Sequence, residues 1–363
     1  MIYFDNAATT PPLPFFPPWF GNPSSLHEAG IRAEGEIRKA TGTLLSFAAQ
    51  NGVIVYTSGA TEANNTAIFG SLRKHSGKHV ITTNIEHPSV VACFQRLEGM
   101  GYEVTYLPAA ENGCVSEAEL SDAVRPDTAL VSIFYVHNEL GAVHDIRRLA
   151  EIVHGKNKDA VFHTDAVQAF GKIKTDFRGV DLVTFCGHKI HGAKGIGALL
   201  LKNGIRVDPI FFGGGQQGGL RAGTENVEGI LSLANAAKHA YENLDSNFQK
   251  VKGFRDEFLK ISEVLGLRIN CEDASPYILN ISIPNVKGEI LLNALSAEGI
   301  CVSTGSACHG TRDKKNVLRT INPKYAENAL RVSFSYMNTM EEVYTLKEAV
   351  LRGASNLSGI RRR

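Results

Sequence analysis

Residues 183–201 read VTFCGHKIHGAKGIGALLL. An apolar run of strand length enters a turn rich in glycine and histidine, and a second apolar run leaves it. Lys189 stands at the centre of that turn. A lysine held between two buried strands is partly desolvated, which lowers its pKa and frees a neutral amine for Schiff-base chemistry. An isolated turn lysine is ordinarily just solvated, so the reading needs a second group. That group is Asp165, in His163-Thr164-Asp165-Ala166-Val167-Gln168, just after another strand-like run.

Strand-like runs recur on both sides of this stretch, at 53–56, 79–82, 103–107, 129–135, 160–163, 182–185 and 197–201. Most are separated by segments of helical length, which predicts a mostly parallel seven-stranded sheet covered by helices. In such a sheet, ligands bind beyond the carboxyl ends of the strands. The polar clusters fall where that rule asks. A long helical pattern over 227–265 leads to strand, helix, strand, strand and helix at 278–283, 289–298, 300–302, 330–334 and 340–351, a smaller α+β domain that the N-terminal strand can join.

Bulk properties narrow the classes. A chain of 363 residues is long for one core, so two domains are expected. Its 43% hydrophobic and 21% charged residues are ordinary for a soluble globular protein, and a net charge of +1 offers no field for nucleic acid. The sequence carries no secretory signal and no apolar run near the ~20 residues that span a bilayer, so a cytoplasmic location without membrane contact is expected. Six cysteines at 93, 114, 186, 271, 301 and 308 form neither a Cys-x-x-Cys pair nor a zinc spacing. Reduced thiols are expected, and no metal.

A Schiff-base lysine with an aspartate facing a pyridinium nitrogen is the pairing a pyridoxal phosphate site requires. The segment 163–168, Gly187-His188-Lys189-Ile190-His191-Gly192 and Lys194-Gly195-Ile196-Gly197 together resemble the cysteine desulfurases of the nitrogen-fixation and iron-sulfur-cluster type. These are pyridoxal-phosphate enzymes of the class V aminotransferase superfamily. The resemblance runs from Ile2 to about Met337 and implies the α/β fold type I of such enzymes: a large cofactor-binding domain over 13–245, and a small domain formed by 1–12 and 246–363.

The resemblance also implies roles. Ala60 and Thr61, in Thr57-Ser58-Gly59-Ala60-Thr61-Glu62, open a helix whose N-terminus suits a phosphate; without a ligand the same residues are a plain helix cap. His188 is a phosphate contact, and Thr224, in the glycine-dense segment 213–226, reaches the phosphate across a homodimer interface. His87 stacks on the cofactor ring and moves protons, although a lone histidine is more often a satisfied surface residue. Asp165 and Gln168 face the ring nitrogen and phenolic oxygen. Asn138 lies near the ring and the substrate carboxylate, and Arg331 binds that carboxylate with its fork of donors. Asn22 either approaches the same carboxylate or only caps a turn.

Four departures stand out. Cys186 occupies a position where the family usually has a phosphate-binding serine, and a thiol is the weaker donor. His137 precedes Asn138 where relatives have asparagine. Gln217 replaces a common glutamate. The segment 11–20, PPLPFFPPWF, is short and cannot be helical.

Cys308 follows Thr304-Gly305-Ser306-Ala307, matching the family's nucleophile motif, with His309, Arg312 and two lysines nearby to favour thiolate. By itself it would read as an incidental surface thiol. The implied reaction converts L-cysteine to L-alanine and leaves a persulfide on Cys308 for an acceptor such as an iron-sulfur scaffold or a tRNA-thiolation enzyme. The alternatives are another class V enzyme, a selenocysteine lyase or aminotransferase, and a non-catalytic sulfur-transfer partner.

Overall fold

The computed structural model describes residues 1–72, 77–304 and 317–360. Cys308, His309 and Arg312 lie outside the described residues. In chain order the strands are β1 (Ile2–Tyr3), β2 (Gly52–Thr57), β3 (His79–Thr83), β4 (Glu103–Leu107), β5 (Thr128–Ser132), β6 (Val161–Asp165), β7 (Leu182–Cys186), β8 (Gly197–Lys202), β9 (Arg268–Ile269), β10 (Ile278–Ser282), β11 (Ile300–Cys301) and β12 (Ala329–Ser333).

Seven of these form one sheet in the order β2-β8-β7-β6-β5-β3-β4, in which only β8 runs antiparallel to its neighbours. Every residue of β3, β5, β6 and β7 is buried. That is why the sequence shows continuous apolar runs there rather than alternation: helices cover both faces. Successive side chains of β8 divide between two cores, Ala198 and Leu200 with one and Leu199 and Leu201 with the other. Helices Ala60–Leu72 and Pro88–Glu98 pack on the second face, and Glu28–Ala48, Ile146–Lys156 and Val227–Glu242 on the first.

Among the described residues, two small sheets complete the structure. β10 pairs antiparallel with β12 and β9, while β1 pairs parallel with β11. Bridges Asp5–Ser333 and Ser303–Arg331 tie the two together. The N-terminal strand therefore joins this region, and the chain after it runs back to the Lys189 turn: Thr10 N–H bonds His188 O at 2.8 Å and Leu13 N–H bonds His191 O at 2.8 Å.

Two details differ from the sequence expectation. Strand β5 ends at Ser132 rather than 135, although Ile133 and Tyr135 N–H still bond His163 O and Asp165 O. The helical pattern over 227–265 is three helices, Val227–Glu242, Leu244–Leu259 and Ser262–Leu265. Segment 11–20 contains neither helix nor strand. No helix among the described residues is long and apolar enough to cross a membrane.

Candidate active site

The carboxyl ends of β6 and β7, the turn after β2 and the N-terminal segment enclose a cavity of about 800 Å³. Nine of the residues singled out from sequence line it: Ala60, Thr61, His87, Asn138, Asp165, Gln168, His188, Lys189 and Arg331. Cys186 is buried at the end of β7, beside the cavity but not on its wall. Asn22 and Thr224 are exposed and lie off the wall, and the Asn22 side chain accepts from Ser24 N–H at 2.9 Å, a turn cap.

Lys189 ends a single tight turn, Gly187–Lys189, directly after β7. A Cβ on Gly187 would meet Ala193 O at 2.9 Å, so the tightness depends on glycine. The Lys189 ammonium donates to Ala7 O at 2.5 Å and Ala8 O at 2.8 Å. Burial holds its pKa below the ordinary lysine value, and Arg331 adds to the effect.

Asp165, the last residue of β6, accepts from Asn64 Nδ2 at 2.9 Å and from Val167 N–H at 3.0 Å. Asn64 also donates to Ser89 Oγ at 2.9 Å, and Ser89 Oγ lies 2.8 Å from His87 Nδ1. Asp165 and His87 are thus joined through two residues that the sequence reading did not assign. His87 Nδ1 also accepts Ser89 N–H at 3.2 Å, which leaves the ring proton on Nε2. His87 reaches solvent through the open cavity, yet the surrounding wall holds its pKa below the ordinary value by desolvation.

The turn Ser58–Thr61 carries the N-terminus of helix Ala60–Leu72, whose first N–H groups have no intrahelical acceptor. Its closeness to β8 requires Gly197, where a Cβ would sit 2.6 Å from Gly59 C. Glu62, on the same turn, is neutralised by Arg221 at 3.0 Å. Lys194 and His188 share the cavity wall with it.

Arg331 projects from β12, nearly fully buried. It bonds Asp5 at 2.7 Å and the Asn138 carbonyl at 3.0 Å. His137 explains its own departure: Nε2 bonds Ile85 O at 2.8 Å while Nδ1 accepts Glu139 and Leu140 N–H, both at 3.1 Å. It holds the turn that carries Asn138. Gln217 is equally specific. Its amide accepts Tyr56 N–H at 2.6 Å and donates to Tyr56 O at 3.0 Å, closing the outer edge of β2.

The class V aminotransferase family model matches residues 2–346. The cysteine desulfurase IscS of Methanosarcina thermophila is 37% identical over 368 residues, covering 96% of this chain and 91% of that protein. That of Neisseria meningitidis serogroup C is 38% identical over 371 residues, with 96% and 91% covered. Among solved structures, a NifS-like protein aligns with a TM-score of 0.90 at 34% identity over 98% of this chain and 99% of that one. A structure described as SspA in complex with cysteine aligns with a TM-score of 0.80 at 31% identity, over 93% and 100%.

The chain belongs to the class V aminotransferase family. Within that family it belongs to the cysteine desulfurases, enzymes that depend on pyridoxal phosphate. The cavity's donor set fits that cofactor: an amine of lowered pKa, a buried carboxylate, an open helix N-terminus and flanking cations.

Proposed function

We propose that this enzyme acts on L-cysteine, with Lys189 and Asp165 as the two poles of the cofactor site. The convergence of Lys189, Asp165 and the Ser58–Thr61 turn on one cavity carries the reading. Bound there, pyridoxal phosphate supplies an electron sink for charge developing at the substrate Cα. Ala60, Thr61 and His188 hold its phosphate, Asp165 its ring nitrogen, Gln168 its phenolic oxygen, and His87 covers the ring. Cys186 stands against the Ala60 N–H at the phosphate end. Arg331 and Asn138 orient the substrate carboxylate, with Asn22 a more distant contributor. Lys189, its amine freed, moves the Cα proton, and His87 donates through Nε2.

Cys308 is the proposed sulfur acceptor. Its thiolate attacks the substrate sulfur, the Cβ–S bond breaks, and a proton replaces sulfur on carbon, so L-cysteine and one thiol give L-alanine and one persulfide. Ser303 lines the cavity, and five residues of chain reach at most about 18 Å. That is enough to bring the thiol to the substrate.

Three wider assignments belong to the same proposal. The chain divides into a large domain, 13–245, and a small one, 1–12 with 246–363. It forms a homodimer in which the exposed Thr224 meets the partner's phosphate site. It works in the cytoplasm, handing sulfur to an acceptor protein such as an iron-sulfur scaffold or a tRNA-thiolation enzyme; the free thiols at 93, 114, 186, 271 and 301 support a reducing compartment.

The test is alanine formation from L-cysteine with reductant present, by wild type and Cys308→Ala, with absorption spectra of both. A yellow, active wild type and a yellow, inert variant are expected. Equal alanine formation by both removes Cys308 from the reaction and favours a selenocysteine lyase or aminotransferase. A colourless, inactive wild type overturns the enzyme reading in favour of a sulfur-transfer partner.

A further inference from the structure

Lys172 is used by none of the steps above, yet it is 6% exposed and lies directly behind the site. After Asp165 the chain makes tight helical turns: Phe170 N–H bonds Ala166 O at 2.8 Å and Ile173 N–H bonds Ala169 O at 3.1 Å. Residues 168 and 172 therefore face the same way, one turn apart. The Lys172 ammonium donates to Gln168 Oε1 at 2.7 Å, and Gln168 Nε2 donates to Ala7 O at 2.8 Å.

These two bonds fix the amide by opposite demands. A lysine that carries its proton only donates, and a backbone carbonyl only accepts. Turning the amide over would set its NH2 against Lys172 and its oxygen against Ala7. The wall that Gln168 contributes to the cavity consequently offers a second Nε2–H as donor.

The far side of Lys172 is unusual too. Lys172, Lys189, Tyr277 and Tyr336 line a small second cavity of about 10 Å³, on the order of one water. The hydroxyls of Tyr277 and Tyr336 are buried without a hydrogen-bond partner among the described residues. Burial first, and then the charge of Lys189, bring the Lys172 pKa down to about 7. Cys186 and Arg331 act on it as well, and His191 completes this wall.

We propose that Lys172 is a positioning residue of the active site: it locks the Gln168 amide with its N–H toward the cofactor's phenolic oxygen. The inference rests on the assignment of Gln168 to the cofactor. The lock favours the deprotonated phenolic oxygen.

The experiment compares the holoenzyme with Lys172→Met, Gln168→Leu and the double variant, recording the cofactor absorption band against pH and the equilibrium binding of pyridoxal phosphate. In Lys172→Met the band's pH midpoint rises by about one unit, and the cofactor dissociation constant rises about fivefold. The effects of the two single changes on the midpoint are less than additive, since one acts through the other. Lys172→Arg, which keeps the charge, returns most of the shift. A midpoint within about 0.2 unit of wild type in natively folded Lys172→Met, or strict additivity, overturns the proposal. If the Met variant gives no soluble holoenzyme, Lys172→Leu is measured instead, with the same rise expected. A wild type that takes up no cofactor fails the site assignment itself, whereas a normal wild type beside an unshifted variant fails only the role of Lys172.

Discussion

The Asp5 carboxylate lies 2.7 Å from the Arg331 guanidinium across 326 residues of sequence. This places an internal anion on the group proposed to receive the substrate carboxylate. An arriving carboxylate must share the guanidinium with Asp5 or displace it, in a cavity where Asp5 itself adds repulsion. Asp5→Asn keeps the shape and removes the charge. The KM for L-cysteine is expected to fall about threefold to tenfold, equivalent to roughly 0.7–1.4 kcal/mol, with kcat little changed. A rise in KM instead makes Asp5 a strut that holds Arg331 in place. Steady-state alanine formation over a range of cysteine concentrations distinguishes the two.

Cys186 gives the second prediction. Burial pushes its thiol up to about 11, so it is uncharged at neutral pH, and it sits against the Ala60 N–H. A serine hydroxyl there is a better donor to a phosphate oxygen. Cys186→Ser should tighten pyridoxal phosphate binding about twofold to fivefold, the range of half to one kcal/mol for one improved hydrogen bond. Titration of apo-protein with cofactor measures this directly. An unchanged dissociation constant sinks the idea.

The inner strands of the large sheet were legible because they are buried on both faces and so stand out as apolar runs, as at 182–185 in Leu182–Cys186; the edge strand Glu103–Leu107, only partly buried, coincides with the run at 103–107 through its β-branched and aromatic residues. Motif residues at strand ends, such as Asp165 and Lys189, could be placed for the same reason. Contacts between distant segments could not. Nothing local in the sequence pairs Asp5 with Arg331, or carries Asp165 through Asn64 and Ser89 to His87. Asn64 lies in the helix that the motif at 57–62 opens, but its Asp165 partner is 101 residues away. Gln217 looked like an unexplained departure because its partner is the backbone of Tyr56, 161 residues earlier.

Four of the buried histidines set the acid limit of the fold. His137, His144, His163 and His191 each have a pKa pushed down to about 4, in each case chiefly by burial. His144 shows why protonation is costly: its Nε2 accepts Val115 N–H at 2.9 Å, while Nδ1 bonds Phe134 O at 3.0 Å. Between the unfolded value of 6.5 and the folded value of about 4, the unfolded chain binds more protons. Stability from these groups is complete above pH 6.5 and is lost as pH falls toward 4, at about 1.4 kcal/mol per pH unit for each histidine at its steepest. Glu86 acts oppositely, since burial raises its pKa well above the ordinary value and its contribution is lost as pH rises. One group against four leaves the histidines dominant. Urea midpoints should drop steeply as pH falls from 6.5 to 4.5; a level profile across that window contradicts the assignment.

The Gln217–Tyr56 clamp makes a sharper demand on one side chain. β2 is an edge strand, and the Gln217 amide satisfies both the N–H and the C=O of Tyr56 with a single planar group, its own backbone held at a φ of +50°. An ionised glutamate can accept the N–H but has nothing to donate, so Gln217→Glu sets a carboxylate against the Tyr56 carbonyl. The cost is about 1–3 kcal/mol, the penalty of an unpaired buried acceptor. Because a protonated carboxyl regains a donor, the variant's folded state should raise that carboxyl's pKa, and its deficit relative to wild type should shrink as pH falls through about 4.5. Paired urea titrations of wild type and variant at pH 7 and pH 4.5 measure the difference at each pH, which cancels the acid loss common to both. A deficit that is absent at pH 7, or that grows on acidification, would mean that the amide donor does not hold the β2 edge.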